Sequence, residues 1–316
     1  MPSATIRLWK GLCTTRTNNE GVWLTLISVG ALVAIGTLDP YSIKLIAKVL
    51  ALWIIVLGLQ QLTLHAGVLS LGHGAFVAAG GYVAGILALN GQHSVWLALL
   101  AVAITSCALG LIVGAAVLRT QGLYQLMATL AIAQMMFYGF QSLRSLGGDE
   151  GFAISLRPEI VGELSLESDR ALAIGILVIA LVCVFAIGRL RRSELGALMQ
   201  AGRDDARRLS SLGFSPYRVN LTAFALSALL AGIGGAMLAH IARFTSPQMG
   251  HWLFSGELVV LMLLGGATTR IGPLAACAAL VMIQELLSQY TDHWLLVLGV
   301  VALGRVLWPS SDEGQP

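Results

Sequence analysis

The sequence has few charged residues for its length. They make up 11% of the 316 residues, against roughly 25% in an average soluble domain. Hydrophobic residues make up 57%, and the mean hydropathy is +0.82. A water-soluble fold of this length cannot cover so much apolar surface with so few charges. The composition therefore excludes a soluble enzyme, a disordered chain and a nucleic-acid-binding protein, and it predicts extensive contact with a lipid bilayer.

Several chemical signatures are also missing. The four cysteines stand singly at Cys13, Cys107, Cys183 and Cys277, without the spacing of a metal site or a disulfide framework. No glycine-rich phosphate-binding loop ending in Gly-Lys-Ser or Gly-Lys-Thr occurs, which excludes nucleotide binding through that motif. We expect no metal, no cofactor and no catalytic residue in this chain.

The longest uncharged run covers the 70 residues from Val49 to Leu118. A helix crosses the hydrocarbon core with about 20 residues, so this run holds three crossings joined by short turns. Apolar windows and their breaks predict ten transmembrane spans in all. They run at 22–38, 41–64, 66–90, 95–118, 122–143, 170–188, 219–241, 253–267, 271–290 and 293–308. The last three have short apolar cores, so the predicted fold class is an all-α integral membrane protein with eight to ten helices.

Cations and acids are divided unevenly between the two long hydrophilic segments. Segment 189–218 holds seven arginines against three acids, whereas segment 144–170 holds six acids against three arginines. The positive-inside rule places 189–218 in the cytoplasm and makes 144–169 an extracytoplasmic loop. Counting spans from there places the N-terminal segment 1–21 and the tail 309–316 in the cytoplasm. The whole of 1–316 is predicted to form one multi-pass domain.

Ten spans also divide as five plus five about the outer loop. An odd number of spans in each half gives the halves opposite topology, the arrangement of inverted-repeat transporters. The third span of each half carries a glycine pair, Gly80–Gly81 and Gly265–Gly266. Because glycine is common in membrane helices, ordinary helix packing explains the pairs equally well. The pattern is compatible with an inverted repeat and with a coincidental similarity of the two spans.

The segment from Gly67 to Tyr82 is unusual for the middle of a span because it holds five glycines in sixteen residues. A helix break there would free backbone N–H groups to bind a substrate, assisted by the side chains of Ser70 and His73. Close helix packing through small residues is the alternative interpretation, and the two are compatible. An intramembrane protease is disfavoured because a serine and a histidine three residues apart, with no orienting acid, form a poor catalytic pair.

Segment 189–218 predicts a short amphipathic helix with Leu195, Leu198 and Met199 on one side. A break at Gly202 and a second charged helix that stops at Gly213 follow. A solvated positive-inside loop needs only cations, whereas this one also carries an apolar stripe and the pair Asp204–Asp205. The pattern favours docking of a partner protein.

The chain resembles the LivM-type permeases of ABC importers for branched-chain amino acids and, in related systems, urea or short amides. The residues that match in family order cover about 50 to 305. They are Gly67–Phe76, Gly122–Tyr124, Thr129–Ala131, Gly147–Gly151, Ala201–Asp205, Leu212–Gly213, Ala223–Phe224, Leu226–Ala228, Ala231–Ala236, Gly265–Gly266 and Gly272–Pro273. Four positions depart from the family pattern, which has a glycine and an acid at Ala133–Gln134, a lysine at Asn220 and a glycine at Thr268.

The resemblance implies a substrate pathway and an ATPase-coupling surface on this chain. The pathway residues would be Ser70, Gly72, His73, Gly74, Phe76, Tyr124, Thr129 and Gln134. The coupling residues would be Glu194, Gly196, Arg203, Asp204, Asp205 and Gly213. The Gln134 departure removes a buried charge from the fifth span and bears on the substrate polarity that this member accepts.

The implied assembly lies in the bacterial inner membrane. The chain would pair with a second, homologous permease to form a heterodimer. Two cytoplasmic ATPase subunits would bind ATP, and an extracytoplasmic binding protein would deliver the substrate. A secondary transporter or a urea- or amide-type channel is the alternative function, and it would need neither the ATPases nor the helical segment 189–218.

Overall fold

The structure, a computed structural model, describes residues 25–92, 94–154, 159–161, 164–165, 168–266, 269–288 and 299. Five of its helices are long and apolar enough to cross a membrane. They are α2 (Pro40–Gln60, continued by a π-helical turn Gln61–His65), α4 (Val95–Val117), α5 (Leu123–Ser142), α6 (Asp169–Arg191) and α9 (Pro216–Ala242). Four shorter apolar helices are α1 (Thr25–Thr37), α3 (His73–Leu89), α10 (Trp252–Gly265) and α11 (Gly272–Ser288).

The described helices correspond to nine of the ten predicted spans, and the tenth, 293–308, lies outside the described residues except for residue 299. The membrane-embedded, helical fold class is confirmed at this level. The span count and the inverted repeat stay predictions, because only five described helices have the length of a full crossing. The predicted third span, 66–90, is wrong at its start, since α3 begins at His73. Residues 66–72 are not helical.

Local chemistry explains where several helices begin and end. Pro40 and Pro216 stand in the first turns of α2 and α9, where the missing proline N–H costs no helical hydrogen bond. The hydroxyls of Ser94, Ser168 and Ser193 cap α4, α6 and α7 (Glu194–Asp204) by accepting a backbone N–H. These short polar signals set the helix boundaries in a chain whose apolar composition hardly varies.

Helix α9 is the centre of the bundle, where it contacts α2, α3 and α4. A Cβ placed on Gly80 of α3 would overlap the Gly232 backbone, with Gly232 Cα only 2.6 Å away. A Cβ on Gly235 would likewise overlap the Val77 carbonyl, and one on Gly110 of α4 would lie 2.6 Å from Ala228 Cβ. Small residues therefore let these helix backbones touch, which confirms the packing role of the glycine-rich third span.

The outer helices α4 and α5 carry large apolar side chains on their free faces. Trp96 and Leu100 of α4 and Met127 and Met135 of α5 are each more than 60% exposed on this single chain. Exposure of such faces to water is energetically unfavourable, whereas contact with lipid or with a neighbouring membrane helix is not. These exposed apolar faces and the five long apolar helices indicate a multi-pass membrane protein.

The segment between α5 and α6 contains short strands. Strand β1 (Phe152–Ala153) pairs antiparallel with β4 (Phe244–Thr245), which directly follows α9. Strands β2 (Glu159–Val161) and β3 (Leu164–Ser165) pair with each other. The β1–β4 pair ties this segment to the end of the central helix.

Segment 189–218 folds as the predicted pair of helices. Helix α7 (Glu194–Asp204) is followed by α8 (Ala206–Ser211). The predicted break at Gly202 is wrong. The chain leaves the helix at Asp205, which has extended backbone angles, and Gly202 lies inside α7. Asp205 makes the break because its carboxylate accepts the N–H groups of Arg207 and Arg208 and so starts a new helix.

The two glycine pairs that prompted the repeat prediction have different surroundings. Gly80–Gly81 lies in the middle of α3 against α9, whereas Gly265 ends α10 and Gly266 has a φ of +76°. A Cβ on Gly265 would lie 2.6 Å from Pro273 in the next helix. The first pair serves helix packing and the second serves a tight connection, so the pairs lend the repeat no structural support.

Candidate functional site

The backbone between α2 and α3 departs from the regular α-helix. Helix α2 widens into the π-helical turn Gln61–His65, and residues 66–72, here called the break segment, follow without regular structure. Gly67 has a φ of +73°, a value that only glycine adopts without strain. The sequence left a helix break and close packing both open for this glycine-rich region. The structure shows close packing along α3 and irregular backbone just before it, where the third span was predicted to begin.

Hydroxyl groups satisfy the backbone N–H groups at the start of α3. Leu71 N donates to Thr129 Oγ1 of α5 at 3.1 Å, and Gly74 N donates to Ser255 Oγ of α10 at 2.9 Å. Gly72 N donates to Ser70 Oγ at 3.2 Å within the break segment. The three hydroxyl residues are at most 3% exposed. Protein groups thus replace water at the helix start, as non-helical backbone inside a membrane protein requires.

His73 extends this polar cluster to α2 and α9. Its Nε2 lies 2.6 Å from Ser227 Oγ, and the Ser227 hydroxyl donates to Gly58 O at 2.7 Å. A hydroxyl has only one proton to donate, so Nε2 carries the hydrogen and donates to Ser227. The other nitrogen, Nδ1, is buried and has no hydrogen-bond partner in the part of the chain that the structure describes.

The same geometry argues against use of Ser227 or Ser70 as a nucleophile. A catalytic base must accept the hydroxyl proton, whereas the Ser227 proton points to Gly58 O. Ser70 Oγ is occupied by the Gly72 N–H. The pairing of histidine and serine here orients helices and does not activate a hydroxyl.

Small and aromatic residues shape the surroundings of His73. A Cβ on Gly72 would lie 3.1 Å from Thr129 O, and one on Gly74 would lie 2.7 Å from Ser255 Oγ. The Phe76 ring packs edge-on against both His73 and Phe224, with centroid separations of 6.0 and 5.8 Å. The break therefore brings together six of the predicted pathway residues, Ser70, Gly72, His73, Gly74, Phe76 and Thr129.

Two predicted pathway residues lie apart from this cluster. Tyr124 stands in the first turn of α5 and is 77% exposed. Gln134 is half-buried on the same helix, at roughly 140° around the helix axis from Thr129 by the helical repeat. On this chain neither side chain contributes to the cluster around His73.

The apolar stripe of α7, which the sequence pattern assigned to a surface for docking a partner protein, packs instead against the core of its own chain. Met199 is fully buried, and Leu195 and Leu198 pack against the same core cluster. Gly196 is buried, and a Cβ there would overlap the Leu190 carbonyl and lie 2.8 Å from Arg191 Cα. The first turn of α7 can approach α6 only because position 196 lacks a side chain.

The other predicted coupling residues divide into two groups. Asp205 caps α8, and Gly213 takes a φ of +87° at the turn before α9. Arg203 turns towards the membrane part of its own chain, where Nη1 donates to Leu64 O of the π-helical turn and the stem covers Gly67. Glu194 and Asp204 are exposed at the two ends of α7, where a partner could reach them.

Sequence reasoning missed five polar residues of this region, namely Gln60, Gln61, Arg191, Ser227 and Ser255. Arg191 Nε donates to Gln61 Oε1 and Arg191 Nη2 donates to Gln60 Oε1, both at 3.0 Å. One signal was visible, because two adjacent glutamines inside an uncharged apolar run are expensive to bury without partners. Their arginine partner, 130 residues away, was not.

Comparison with known proteins agrees with this architecture. A protein-family model described as a permease component of the branched-chain amino acid transport system matches residues 41–305. The high-affinity branched-chain amino acid transport system permease protein LivM of Salmonella typhimurium strain LT2 is 29% identical over 306 residues, covering 88% of this chain and 72% of that protein. The protein of the same description from Escherichia coli strain K12 is 29% identical over 300 residues, covering 88% and 69%. No solved structure matches the chain.

Proposed function

The chain belongs to the family of permease components of branched-chain amino acid transport systems, and from this we propose that it is the membrane-spanning subunit of an ABC importer. It moves branched-chain or other hydrophobic amino acids inward. Urea and small amides are the other candidate substrates. The chain itself carries no catalytic residue, cofactor or metal in this proposal, and ATP is bound and hydrolysed by separate subunits.

One observation carries the proposal. The amphipathic α7–α8 pair lies directly against the break segment, because the Arg203 stem covers Gly67 and Met199 packs in the same core cluster as Val68. Arg203 also donates to Leu64 O of the π-helical turn that precedes this segment. A transporter driven by a separate ATPase needs a rigid element that touches both the motor and the mobile part of the membrane domain. Neither a channel nor a secondary transporter needs such an element.

The proposed pathway residues are Ser70, Gly72, His73, Gly74, Phe76, Tyr124, Thr129 and Gln134. The first five and Thr129 surround the start of α3, where the backbone N–H groups are held by hydroxyls that a substrate could replace. Tyr124 and Gln134 lie on α5, whose outer face is free on this single chain. We place the second permease against that face, so that these two side chains line the path between the subunits.

The proposed coupling residues are Glu194, Gly196, Arg203, Asp204, Asp205 and Gly213. Glu194 and Asp204 contact the ATPase, Gly196 and Arg203 dock the helix pair on the chain itself, and Asp205 and Gly213 shape the turns. The segment faces the cytoplasm of a bacterial inner membrane, together with both termini. The complete importer contains a second, homologous permease, two ATPase subunits and an extracytoplasmic binding protein.

Reconstitution into proteoliposomes tests this function. Vesicles that contain this chain, its partner permease and both ATPases should take up radiolabelled leucine, isoleucine or valine when ATP is present on the ATPase side and the binding protein on the other. Urea and acetamide in the same assay define the substrate class.

Vesicles that contain the two permeases without ATPases are the control. They should show no uptake above the leak of empty liposomes. Uptake at the full rate without ATPases, or uptake driven by an ion gradient, would favour a channel or a secondary transporter and contradict the importer function.

A further inference from the structure

Arg191, the last residue of α6, joins the segment that carries α7 and α8 to the end of α2. Its guanidinium donates from Nε to Gln61 Oε1 and from Nη2 to Gln60 Oε1, each at 3.0 Å. Gln60 and Gln61 are at most 1% exposed. The planar guanidinium fork fixes two acceptors at once, which a lysine ammonium cannot do with the same geometry.

Gln60 carries the connection across the bundle. While its Oε1 accepts from Arg191, its Nε2 donates to Gly266 O at 2.8 Å and to Thr269 O at 3.2 Å. Both carbonyls belong to the connection between α10 and α11. A single buried side chain therefore links the end of α6 to a connection about 80 residues further along the chain.

Residues of α7 contact Gln61 and the π-helical turn that begins there. Gln61 Nε2 lies 3.5 Å from Met199 Sδ, and Arg203 donates to Leu64 O. The turn Gln61–His65 is π-helical, a rare conformation that marks functional positions in helices. Any movement of α7 relative to the bundle must therefore strain or shift this turn, and the break segment follows it directly.

We propose that Arg191, through Gln60 and Gln61, is the positioning residue that transmits displacement of the α7–α8 pair to the break segment and to the α10–α11 connection. The inference rests on the importer function proposed above and identifies the internal joint of its coupling. Gln60 and Gln61 are neutral amides, so exchange of these bonds during a transport cycle leaves no buried carboxylate without its counter-ion. A joint that moves repeatedly needs such replaceable bonds.

Arg191→Met in the complete reconstituted complex tests the joint. The substitution keeps an unbranched apolar side chain about as long as the aliphatic stem of arginine and removes the guanidinium donors. ATP-driven uptake should fall about tenfold or more, as expected from the loss of hydrogen bonds to a charged group. ATP hydrolysis and the yield of assembled complex should stay at the wild-type level, because the outer faces of α7 and α8 are unchanged. Arg191→Lys, which keeps the charge, should retain part of the uptake.

Two further variants define the comparison. Arg192→Met alters the adjacent, exposed arginine and should leave uptake unchanged. Gln60→Met removes the bridge to Gly266 O and Thr269 O and should uncouple uptake from hydrolysis as Arg191→Met does. If the complex with Arg191→Met does not assemble, Gln60→Met tests the joint in its place.

A labelling measurement reports on the joint without measuring transport. Leu69→Cys places a thiol on an exposed position of the break segment, after replacement of the four native cysteines. In the wild-type background its maleimide labelling rate should change when ATP and vanadate are added. With Arg191→Met it should not change, although the ATPases still trap vanadate.

Unchanged uptake in Arg191→Met and Gln60→Met would overturn the inference, and so would a parallel loss of uptake, hydrolysis and assembly, which indicates a purely structural tie. Absence of ATP-driven uptake in the wild-type complex would instead overturn the importer function itself.

Discussion

His73 and Ser227 show how one hydrogen-bond chain positions three elements. The imidazole belongs to the first turn of α3, the hydroxyl to α9 and the final acceptor, Gly58 O, to α2. The direction of the chain is set by the single hydroxyl proton of Ser227, which goes to Gly58 O and leaves an oxygen lone pair for His73. The first turn of α3 is thus held in a fixed position against α9 and α2.

Ser227→Ala should destabilise the chain. It leaves the buried Nε2–H of His73 and the Gly58 carbonyl without this partner, at a cost of about 1–3 kcal/mol in the free energy of unfolding. Thermal unfolding of the detergent-solubilised chain should show a lower midpoint. Thr222→Ala on the same helix is the control, because among the described residues that hydroxyl bonds to Val219 O within α9 and to no other element. Equal midpoints for the two variants would contradict the role of Ser227.

At the scale of whole helices, the contact between α3 and α9 depends on the absence of side chains. Gly80 and Gly232 face each other so closely that no Cβ fits between the backbones, and Gly235 contacts Val77 in the same way. In lipid the attraction between helices comes from such close packing and not from removal of apolar surface from water. The glycine content of the third span is therefore a packing requirement along α3 and a conformational requirement only at the break.

Gly80→Ala and Gly139→Ala should have opposite effects on the isolated chain. The added methyl group at position 80 overlaps the Gly232 backbone and forces α3 and α9 apart, so the unfolding midpoint should fall. At Gly139, inside α5, the Cβ meets open space, and alanine should stabilise the helix by about 0.5–1 kcal/mol. A rise in the midpoint for Gly80→Ala would show that the two helices are not in backbone contact.

At the scale of the whole molecule, burial separates a first set of two enclosed long helices from a second set of two exposed ones, and α6 lies between them at 44%. In their most apolar windows α2 and α9 are 67% buried, whereas α4 is 28% and α5 is 22% buried. The first set forms the inside of the single chain and holds the break segment in place. The second set presents apolar surface to lipid or to another membrane subunit, which is the surface that a paired permease requires.

The predicted orientation is testable with two single-cysteine variants made after replacement of the four native cysteines. Ser210→Cys lies in α8 and Asp149→Cys in the segment after α5, and both positions are exposed. A membrane-impermeant maleimide added to intact cells, with access to the periplasm, should label position 149 and spare position 210. Inverted vesicles should give the reverse pattern. Labelling of position 210 from outside would contradict the cytoplasmic location of α7 and α8.

Local patterns in the sequence were sufficient for the positions of most helices and for the pair α7–α8. Apolar runs of about 20 residues, prolines at helix starts and glycines at breaks act within a few residues of themselves. The local pattern failed at the boundary between α7 and α8, where the side chain that ends one helix also caps the next. The break assigned to Gly202 falls at Asp205 because the aspartate carboxylate caps α8.

By itself the sequence determined that this protein lies in a membrane, that glycines are concentrated at its third span, and that an arginine-rich helical pair follows α6. The tertiary structure alone decided that Arg191 reaches Gln60 and Gln61, that Ser227 orients His73, and that Arg203 turns inward to Leu64. These contacts join residues more than 100 positions apart. Such residues meet only because the helices pack together in three dimensions. Hydropathy along the chain shows which segments are apolar, but it does not show which buried polar groups bond to each other.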